Sequence, residues 1–263
     1  MEWIREYGWF FFIYAALGWC GEVAFAAIKE RRFVNRGFLN GPLCPIYGVG
    51  VAVIVGMGDI AGDNVFLLFV LSAFVTSLIE LLTGYILEKL FHTRWWDYSG
   101  MPLNIGGYIC LPFSLLWGIA CIVIIKVIHP AIASFVGWIP SLMGWILLSV
   151  FTILLLVDLY VTVSRTSKNL RRLQRLEELA VSLREFSDIL GQKISETTLE
   201  AEKHADLEKQ KKEFEERKQE MEKLLAEKMP GLNRHLKAFP KLQSKRFKES
   251  LEKIRENYKQ NKK

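Results

Sequence analysis

Five long apolar stretches in the first 163 residues constrain this chain most, because each is long enough to cross a membrane as a helix. Roughly 20 helical residues span a hydrocarbon core ~30 Å thick, and backbone amides inside that core must bond within a helix or a closed barrel. These stretches are too long and too continuously apolar for barrel strands. The sequence therefore predicts an all-α polytopic membrane protein with five transmembrane helices, over residues 8–28, 43–60, 65–87, 108–128 and 142–163.

Charge divides the chain near residue 163. Residues 1–163 contain 8 Lys/Arg and 10 Asp/Glu, whereas residues 164–263 contain 26 and 18. We therefore predict a transmembrane domain over 1–163, a charged helical cytoplasmic segment over 164–228 and a basic C-terminal segment over 229–263. Met229-Pro230-Gly231 marks the predicted end of the charged helix.

The distribution of basic residues orients the predicted bundle. The second and fourth connections between apolar stretches contain no Lys or Arg, whereas the first, the third and the start of the tail are basic. By the positive-inside rule the N-terminus lies outside and the tail lies in the cytoplasm of a bacterial cytoplasmic membrane. The basic residues are Lys29, Arg31, Arg32, Arg36, Lys89, Arg94, Arg165, Lys168, Arg171, Arg172 and Arg175.

Two segments depart from a plain five-helix pattern. The stretch 43–60 is short and carries four glycines, so this helix is tilted little, partly unwound or buried by its neighbours. Segment 131–139 places apolar residues at helical spacing, which predicts a short interfacial helix on the outer face rather than a sixth span.

In the tail, apolar residues recur every three or four positions over about two heptads. This favours a charged helix or a helical hairpin that folds on itself or on the membrane surface, with self-association through a coiled coil as the alternative. The basic segment could lie on anionic lipid headgroups or contact a partner. No nucleic acid partner is expected, because the segment has few aromatic residues for base stacking. The stripe comprises Leu176, Leu179, Leu183, Phe186 and Leu190.

Three carboxylates lie within apolar stretches, where ionisable groups are costly and usually functional. In the predicted topology Glu22, Glu80 and Asp158 each lie roughly 7–11 Å below the cytoplasmic interface, counted along their helices. This predicts one polar layer or cavity that opens toward the cytoplasm. The alternative is a structural role, in which each carboxyl bonds a neighbouring helix or Asp158 extends toward Arg165.

The two inner connections share a residue order. Each follows a helix with an intramembrane Glu and enters an outward helix through Asn, Gly, Cys, Pro and Gly, which suggests a tandem repeat of one helical hairpin. Alternatively, Gly and Pro only shape turns and Asn caps a helix. The predicted substrate-pathway residues are Glu22, Asn35, Arg36, Asn40, Tyr47, Glu80, Glu88, Trp96, Asp97, Asn104 and Asp158.

Signatures of catalysis are missing from the sequence. No Gly-rich phosphate loop ending in Gly-Lys-Ser/Thr occurs, so this chain is not its own P-loop ATPase. No serine nucleophile elbow and no His-Glu-x-x-His motif occur either. We therefore expect no enzyme activity, no cofactor and no metal site.

The two connections also resemble a known family. The run Asn35-Arg36-Gly37, Asn40-Gly41-Pro42, Cys44-Pro45-Ile46-Tyr47-Gly48, together with Trp95-Trp96-Asp97-Tyr98-Ser99 and Asn104, is similar to the putative type-IV ABC-transporter permease family of bacterial membrane proteins. The resemblance covers roughly residues 8–160, and Leu236-Lys237-Ala238-Phe239-Pro240 is similar to the tails of some members. It implies a transport role with a separate ATPase subunit, but it carries over no substrate and no catalytic residue.

The leading hypothesis is a permease or transport component in the lipid bilayer, with a cytoplasm-facing polar cavity and an ATPase supplied by another chain. One alternative is a non-transporting scaffold or signalling protein whose helical tail recruits cytoplasmic partners. The other is a membrane-embedded enzyme that acts on a lipid, with a carboxylate as general acid or base.

Overall fold

The computed structural model describes residues 2–196, 203–226 and 232–239, and almost all of them are helical. One pair of two-residue antiparallel strands interrupts the helices. In chain order the elements are α1 Glu2–Glu30, α2 Pro45–Gly56, α3 Gly58–Ala61, α4 Val65–Phe91, β1 Asn104–Ile105, β2 Ile109–Cys110, α5 Leu111–Val123, a π-helical turn Ile124–Ile128, α6 His129–Trp138, α7 Ser141–Glu196, α8 Lys203–Ala226 and α9 Leu232–Ala238.

Four helical stretches are long and apolar enough to cross a membrane: Glu2–Glu30, Val65–Phe91, Leu111–Trp138 and Ser141–Glu185. The prediction of a nearly all-α membrane protein is therefore confirmed. The second predicted span differs, because only the 12 residues Pro45–Gly56 form its apolar helix.

The predicted separate helix at 131–139 is instead the end of one continuous helical stretch, Leu111–Trp138. Val136 is buried in a cluster with Trp9, Phe10 and Tyr14 of α1. The apolar spacing of this segment therefore reflects packing against α1. Periodicity identifies an apolar face, but it does not distinguish a lipid neighbour from a protein neighbour.

The helices of the first unit form two antiparallel hairpins. In the first, the Cys44 amide donates to the Ala15 carbonyl at 2.9 Å, so the start of α2 lies beside the middle of α1. In the second, the Ser77 hydroxyl of α4 donates to the Ser114 hydroxyl of α5 at 2.6 Å. Each hairpin thus pairs one long helix with the helix that follows it.

Helix α7 runs parallel to α1. Near the start of both helices the Ser141 hydroxyl donates to Glu2 at 3.1 Å, and farther along Phe151 packs against Phe12 with ring centroids 5.7 Å apart. The contact positions advance together along both helices. Phe38, in the connection that follows α1, packs against Phe91 at the end of α4 with ring centroids 5.9 Å apart, so the same end of the bundle holds the C-terminal ends of α1 and α4.

At that end the two connections fold back between the helices, and we call them the first loop (residues 31–44) and the second loop (residues 92–110). Ala15, which bonds Cys44, lies 15 residues before the end of α1, or about 22 Å at the helical rise. Tyr98 of the second loop bonds Glu80, 11 residues or about 16 Å before the end of α4. Helix α2 is shorter than the predicted second span, because the first loop already covers part of the distance along α1 before α2 begins.

Gly48 permits the close approach of α2 to α1. A Cβ atom there would lie 2.4 Å from the Phe11 carbonyl oxygen, a backbone atom that cannot rotate away. We expect Gly48→Ala to lower the free energy of unfolding by about 1–3 kcal/mol through overpacking. Thermal unfolding in detergent measures this loss. Gly50→Ala in the same helix is the matched control, because nothing lies within 4 Å of its added Cβ; equal losses for both variants would contradict the steric explanation.

The described chain divides into two compact units. One comprises the chain up to Ser164 together with the described residues from Arg234 onward; the other begins at Arg165 and includes α8. In the second unit Arg175 of α7 bonds Glu220 of α8 at 3.1 Å, and Arg217 donates to Ser182, so the two helices are antiparallel. Leu176 and Leu179 of the predicted stripe are buried. The predicted break at Met229-Pro230-Gly231 and most of the predicted basic segment lie outside the described residues.

Candidate functional site

Asn35 organises the first loop from its centre. Its side-chain oxygen accepts hydrogen bonds from the Trp19 indole at 2.8 Å and from the Gly37 amide at 3.0 Å, and its amide nitrogen donates to the Asn40 carbonyl at 3.0 Å. All three bonds hold the loop against α1 or against itself. Asn35 therefore shapes the loop.

Asp158 of α7 anchors the far end of the first loop. One carboxylate oxygen accepts from the Asn40 side-chain amide at 2.8 Å, and the other accepts from the Gly41 backbone amide at 2.7 Å. The Thr162 hydroxyl donates to the same carboxylate at 3.1 Å. A carboxylate accepts several such bonds at once, which suits it to satisfy backbone amides that no strand or helix pairs.

Glu22 has a neutral hydrogen-bond donor at one carboxylate oxygen and a positive charge beside the other. The Tyr47 hydroxyl of α2 donates to Oε1 at 2.6 Å, and Arg36 Nε of the first loop lies 3.1 Å from Oε2. The Arg36 guanidinium also lies 5.3 Å from the centre of the Phe25 ring. Glu22, Arg36 and Tyr47, all predicted as candidates, therefore form one contact group.

Glu80 has a different environment. The Tyr98 hydroxyl donates to Oε1 at 3.1 Å, but Oε2 is buried without a hydrogen-bond partner, and the residue is only 9% exposed. The Tyr98 ring stacks on Phe113 with centroids 4.8 Å apart. Burial raises the pKa of Tyr98, and the nearby carboxylates of Glu80 and Glu22 raise it further. Tyr98 therefore connects the second loop to Glu80.

Glu88 and Asp97 flank Arg94 at the start of the second loop. Arg94 Nε donates to Glu88 Oε2 at 2.6 Å, and Nη1 lies 3.7 Å from Asp97 Oδ1. Burial lowers the pKa of Arg94, but hydrogen bonding and attraction to Glu88 outweigh it and raise the pKa overall. This ion-pair group lies at the C-terminal end of α4. The helix ends at Phe91, and the C-cap residue His92 has a positive φ of 51°.

Asn104 and Trp96 support the strand pair of the second loop. The Asn104 amide donates to the Met101 carbonyl at 2.9 Å, and its oxygen accepts from the Gly107 amide at 3.2 Å. The Trp96 indole donates to the Tyr108 carbonyl at 2.9 Å. Gly107 adopts φ +76°, which a glycine allows at no steric cost. Both candidates therefore fix the turn that carries Tyr98 back toward Glu80.

The eleven predicted residues thus form groups around the two loops. The first loop brings together Asn40 with Asp158, and Arg36 with Tyr47 at Glu22. The second loop brings together Glu88 with Asp97 through Arg94, and Tyr98 with Glu80. The shared layer of Glu22, Glu80 and Asp158 stays a prediction.

Arg234, which no sequence pattern singled out, makes three hydrogen bonds to the first loop. Its guanidinium donates to the carbonyls of Gly37 at 2.8 Å, Leu39 at 2.7 Å and Phe38 at 2.7 Å. One side chain thereby satisfies three consecutive backbone acceptors. Arg234 is one of eleven Lys/Arg after residue 231, so its charge did not distinguish it.

Aromatic contacts extend this attachment. The His235 ring is parallel to Phe38 with centroids 5.8 Å apart and meets Trp95 edge-on at 4.9 Å. Phe239 meets Trp95 at 5.0 Å. We call residues 234–239 the C-terminal clasp. In the sequence, this segment was marked only by the similarity of residues 236–240 to the tails of some family members.

The clasp should loosen in acid. Burial, and then the neighbouring Arg234 charge, lower the pKa of His235 to about 4, below its ordinary value of 6.5. The docked ring therefore binds fewer protons than a free one, so docking weakens as the pH falls from about 6.5 toward 4. We expect the protection of the amides of residues 37–39 against hydrogen exchange, corrected for the intrinsic exchange rate at each pH, to decrease over this range. His235→Phe keeps an aromatic ring and should remove this pH dependence; an unchanged dependence in that variant would assign it to another group.

Comparison with known proteins gives one match. A family model described as "Putative ABC-transporter type IV" matches residues 9–163, a range that contains both loops and ends within α7. A search of curated proteins gives no match, and neither does a search of solved structures.

Proposed function

Because this chain belongs to the family described as "Putative ABC-transporter type IV", we propose that it is the membrane permease subunit of a transport system. Its substrate path opens toward the cytoplasm, and the energy comes from an ATPase on a separate chain. The permease itself performs no covalent chemistry. The family match supports the transport class, and the path is supported by the two loops.

The observation that carries the proposal is the insertion of both loops among the helices, each beside a glutamate that lies within an apolar helix. Non-helical backbone at membrane depth is tolerated where it is buried in protein or lines a water-filled cavity. Tyr47 follows the first loop and bonds Glu22, while Tyr98 within the second loop bonds Glu80. Polar side chains at such positions are typical of substrate and ion pathways.

Helix directions favour five crossings with the tail in the cytoplasm. Parallel α1 and α7 require an odd number of crossings between them, and α2, α4 and the stretch Leu111–Trp138 supply three. Without a crossing by α2 the two helices would be antiparallel. The basic residues in the first loop, near the second loop and at the start of the tail then orient this end toward the cytoplasm.

A tandem repeat of the hairpin is supported by matching features at both loops. Cys44 and Cys110 are buried at the N-caps of α2 and α5, and a proline occupies the first turn of each helix. In each hairpin a tyrosine hydroxyl bonds the glutamate of the preceding long helix. Parallel repeats that place binding sites between corresponding elements are familiar in transporters.

A scaffold or signalling protein is the second candidate. The antiparallel pairing of α7 with α8, through Arg175 and Glu220, supports a folded helical segment that recruits partners in the cytoplasm. Leu176 and Leu179 are buried within the single chain, which favours packing of the apolar stripe inside one molecule over self-association.

Purification of the full-length chain from its native membrane in mild detergent tests the proposal. We expect a stoichiometric ATPase chain to co-purify and to hydrolyse ATP in the complex. Repeated absence of an ATPase would contradict the transport assignment. If deletion of residues 165–226, which keeps the clasp residues 234–239, also abolished function while the membrane part stayed folded, the scaffold would be favoured instead.

A further inference from the structure

Glu80 is buried and Glu22 is half-buried, and the two glutamates differ in their partners. Glu22 has Arg36 beside one oxygen and the Tyr47 hydroxyl on the other. Glu80 receives only the Tyr98 hydroxyl, and its Oε2 atom is buried without a hydrogen-bond partner. In the described part of the chain, no Lys or Arg forms an ion pair with Glu80.

An ionised carboxylate without a counter-charge is strongly disfavoured in a water-poor interior. A tyrosine hydroxyl donates one hydrogen bond but supplies no net charge. Glu80 therefore requires either a proton on the carboxyl group or a cation at Oε2. Both carboxylate oxygens of Glu22 have a partner, whereas Oε2 of Glu80 has none. This difference indicates that Oε2 of Glu80 is the atom that binds a ligand.

Two stacked aromatic rings lie beside Glu80. The Tyr98 hydroxyl bonds Glu80, and the Tyr98 ring stacks on Phe113 with centroids 4.8 Å apart. The faces of such rings attract cations, and quaternary ammonium groups are recognised this way. Among the described residues no group of three or more His, Cys, Asp or Glu side chains could hold a metal ion. The chemistry around Glu80 therefore suits an organic monocation better than a metal.

We propose that Glu80 and the neighbouring aromatic rings bind an ammonium-type monocation, which is the substrate or the coupled ion of the transport path. When the cation enters, the Oε2 proton leaves to water, so the carboxyl group keeps a compensated charge throughout the exchange. This inference rests on the proposed function, since it assigns the ligand class of the same path.

Carbodiimide labelling tests the inference without knowledge of the natural substrate. Dicyclohexylcarbodiimide reacts with protonated carboxyl groups in apolar surroundings, and peptide mass spectrometry identifies the modified residue. In the full-length protein in detergent we expect labelling of Glu80 and none of Glu88, which Arg94 pairs. Methylammonium or tetramethylammonium chloride should slow the labelling of Glu80 at least fivefold relative to sodium chloride of equal concentration.

Two variants separate the site from general effects. Glu80→Gln should abolish the labelling and the cation effect, whereas the control Glu88→Gln should retain both. A folded protein with no labelling of Glu80, or labelling that neither ammonium salt slows, overturns the inference. An ATPase that co-purifies with such a protein would leave the transport assignment standing. Conversely, specific protection without any ATPase would support the cation site and contradict ABC-type transport.

Discussion

Replacing Asp158 with alanine is expected to release the first loop and to lower the free energy of unfolding by about 2–3 kcal/mol. The variant leaves the Gly41 amide and the Asn40 side chain without the acceptor that holds them at 2.7 and 2.8 Å. An unmade hydrogen bond in a partly buried place costs the full desolvation of the stranded group. Thermal unfolding in detergent and hydrogen exchange at residues 35–41 measure the two consequences.

Asp158→Asn sharpens this experiment, because it keeps the shape of the side chain but replaces one acceptor oxygen with a donor amide. One of the two loop contacts should then survive, and the loss should be intermediate. Asp63→Asn is the matched control, since Asp63 is fully exposed and has only a long 3.9 Å contact with Lys126. If Asp158→Ala left hydrogen exchange of the loop unchanged, the anchoring role would be wrong.

Replacing Arg234 with alanine should detach the C-terminal clasp from the first loop. The change removes three hydrogen bonds from a charged donor to the carbonyls of residues 37–39. Such bonds contribute about 1.5–3 kcal/mol each and are not additive, so we expect a total loss of about 3 kcal/mol in docking. Faster proteolysis within residues 232–239 and faster hydrogen exchange at residues 37–39 report the release.

Arg234→Lys separates charge from geometry. Lysine keeps the positive charge but lacks the planar fork that reaches three acceptors at once, so partial release is expected. Arg32→Ala serves as the control, because this exposed arginine, among the described residues, bonds Glu30 in its own segment and makes no hydrogen bond to the clasp. Equal release by Arg234→Ala and Arg32→Ala would show that net charge, rather than the fork, holds the clasp.

The two anchors act on neighbouring parts of one loop. Arg234 binds the carbonyls of residues 37–39, and Asp158 binds the amides of residues 40–41. For the double variant Asp158→Ala/Arg234→Ala, we therefore expect a loss of unfolding free energy that differs from the sum of the two single losses, because the two residues hold one structural unit. This coupling connects the end of the chain to the loop that also carries Arg36, the partner of Glu22.

Much of the candidate site could be predicted, because intramembrane carboxylates and Asn-Gly-Pro segments are visible in a single sequence. Glu22, Glu80 and Asp158 each have specific polar contacts to a loop, a loop-flanking residue or the neighbouring backbone. Their individual partners could not be predicted. Arg36 rather than another cation pairs with Glu22, and Arg234 lies almost 200 positions from its acceptors. Such pairings depend on distances in space that local spacing does not encode.

By itself, the sequence determined the membrane environment and the helical class, because a long apolar segment can satisfy its backbone in lipid only as a helix. It also marked both connections as special through their glycines, prolines and asparagines. Only the tertiary structure decided that these connections fold back beside the helices, that α2 is short and that the C-terminal clasp closes over the first loop. Hydropathy and periodicity act over a few turns of one segment, whereas these features arise from contacts between segments far apart in the chain.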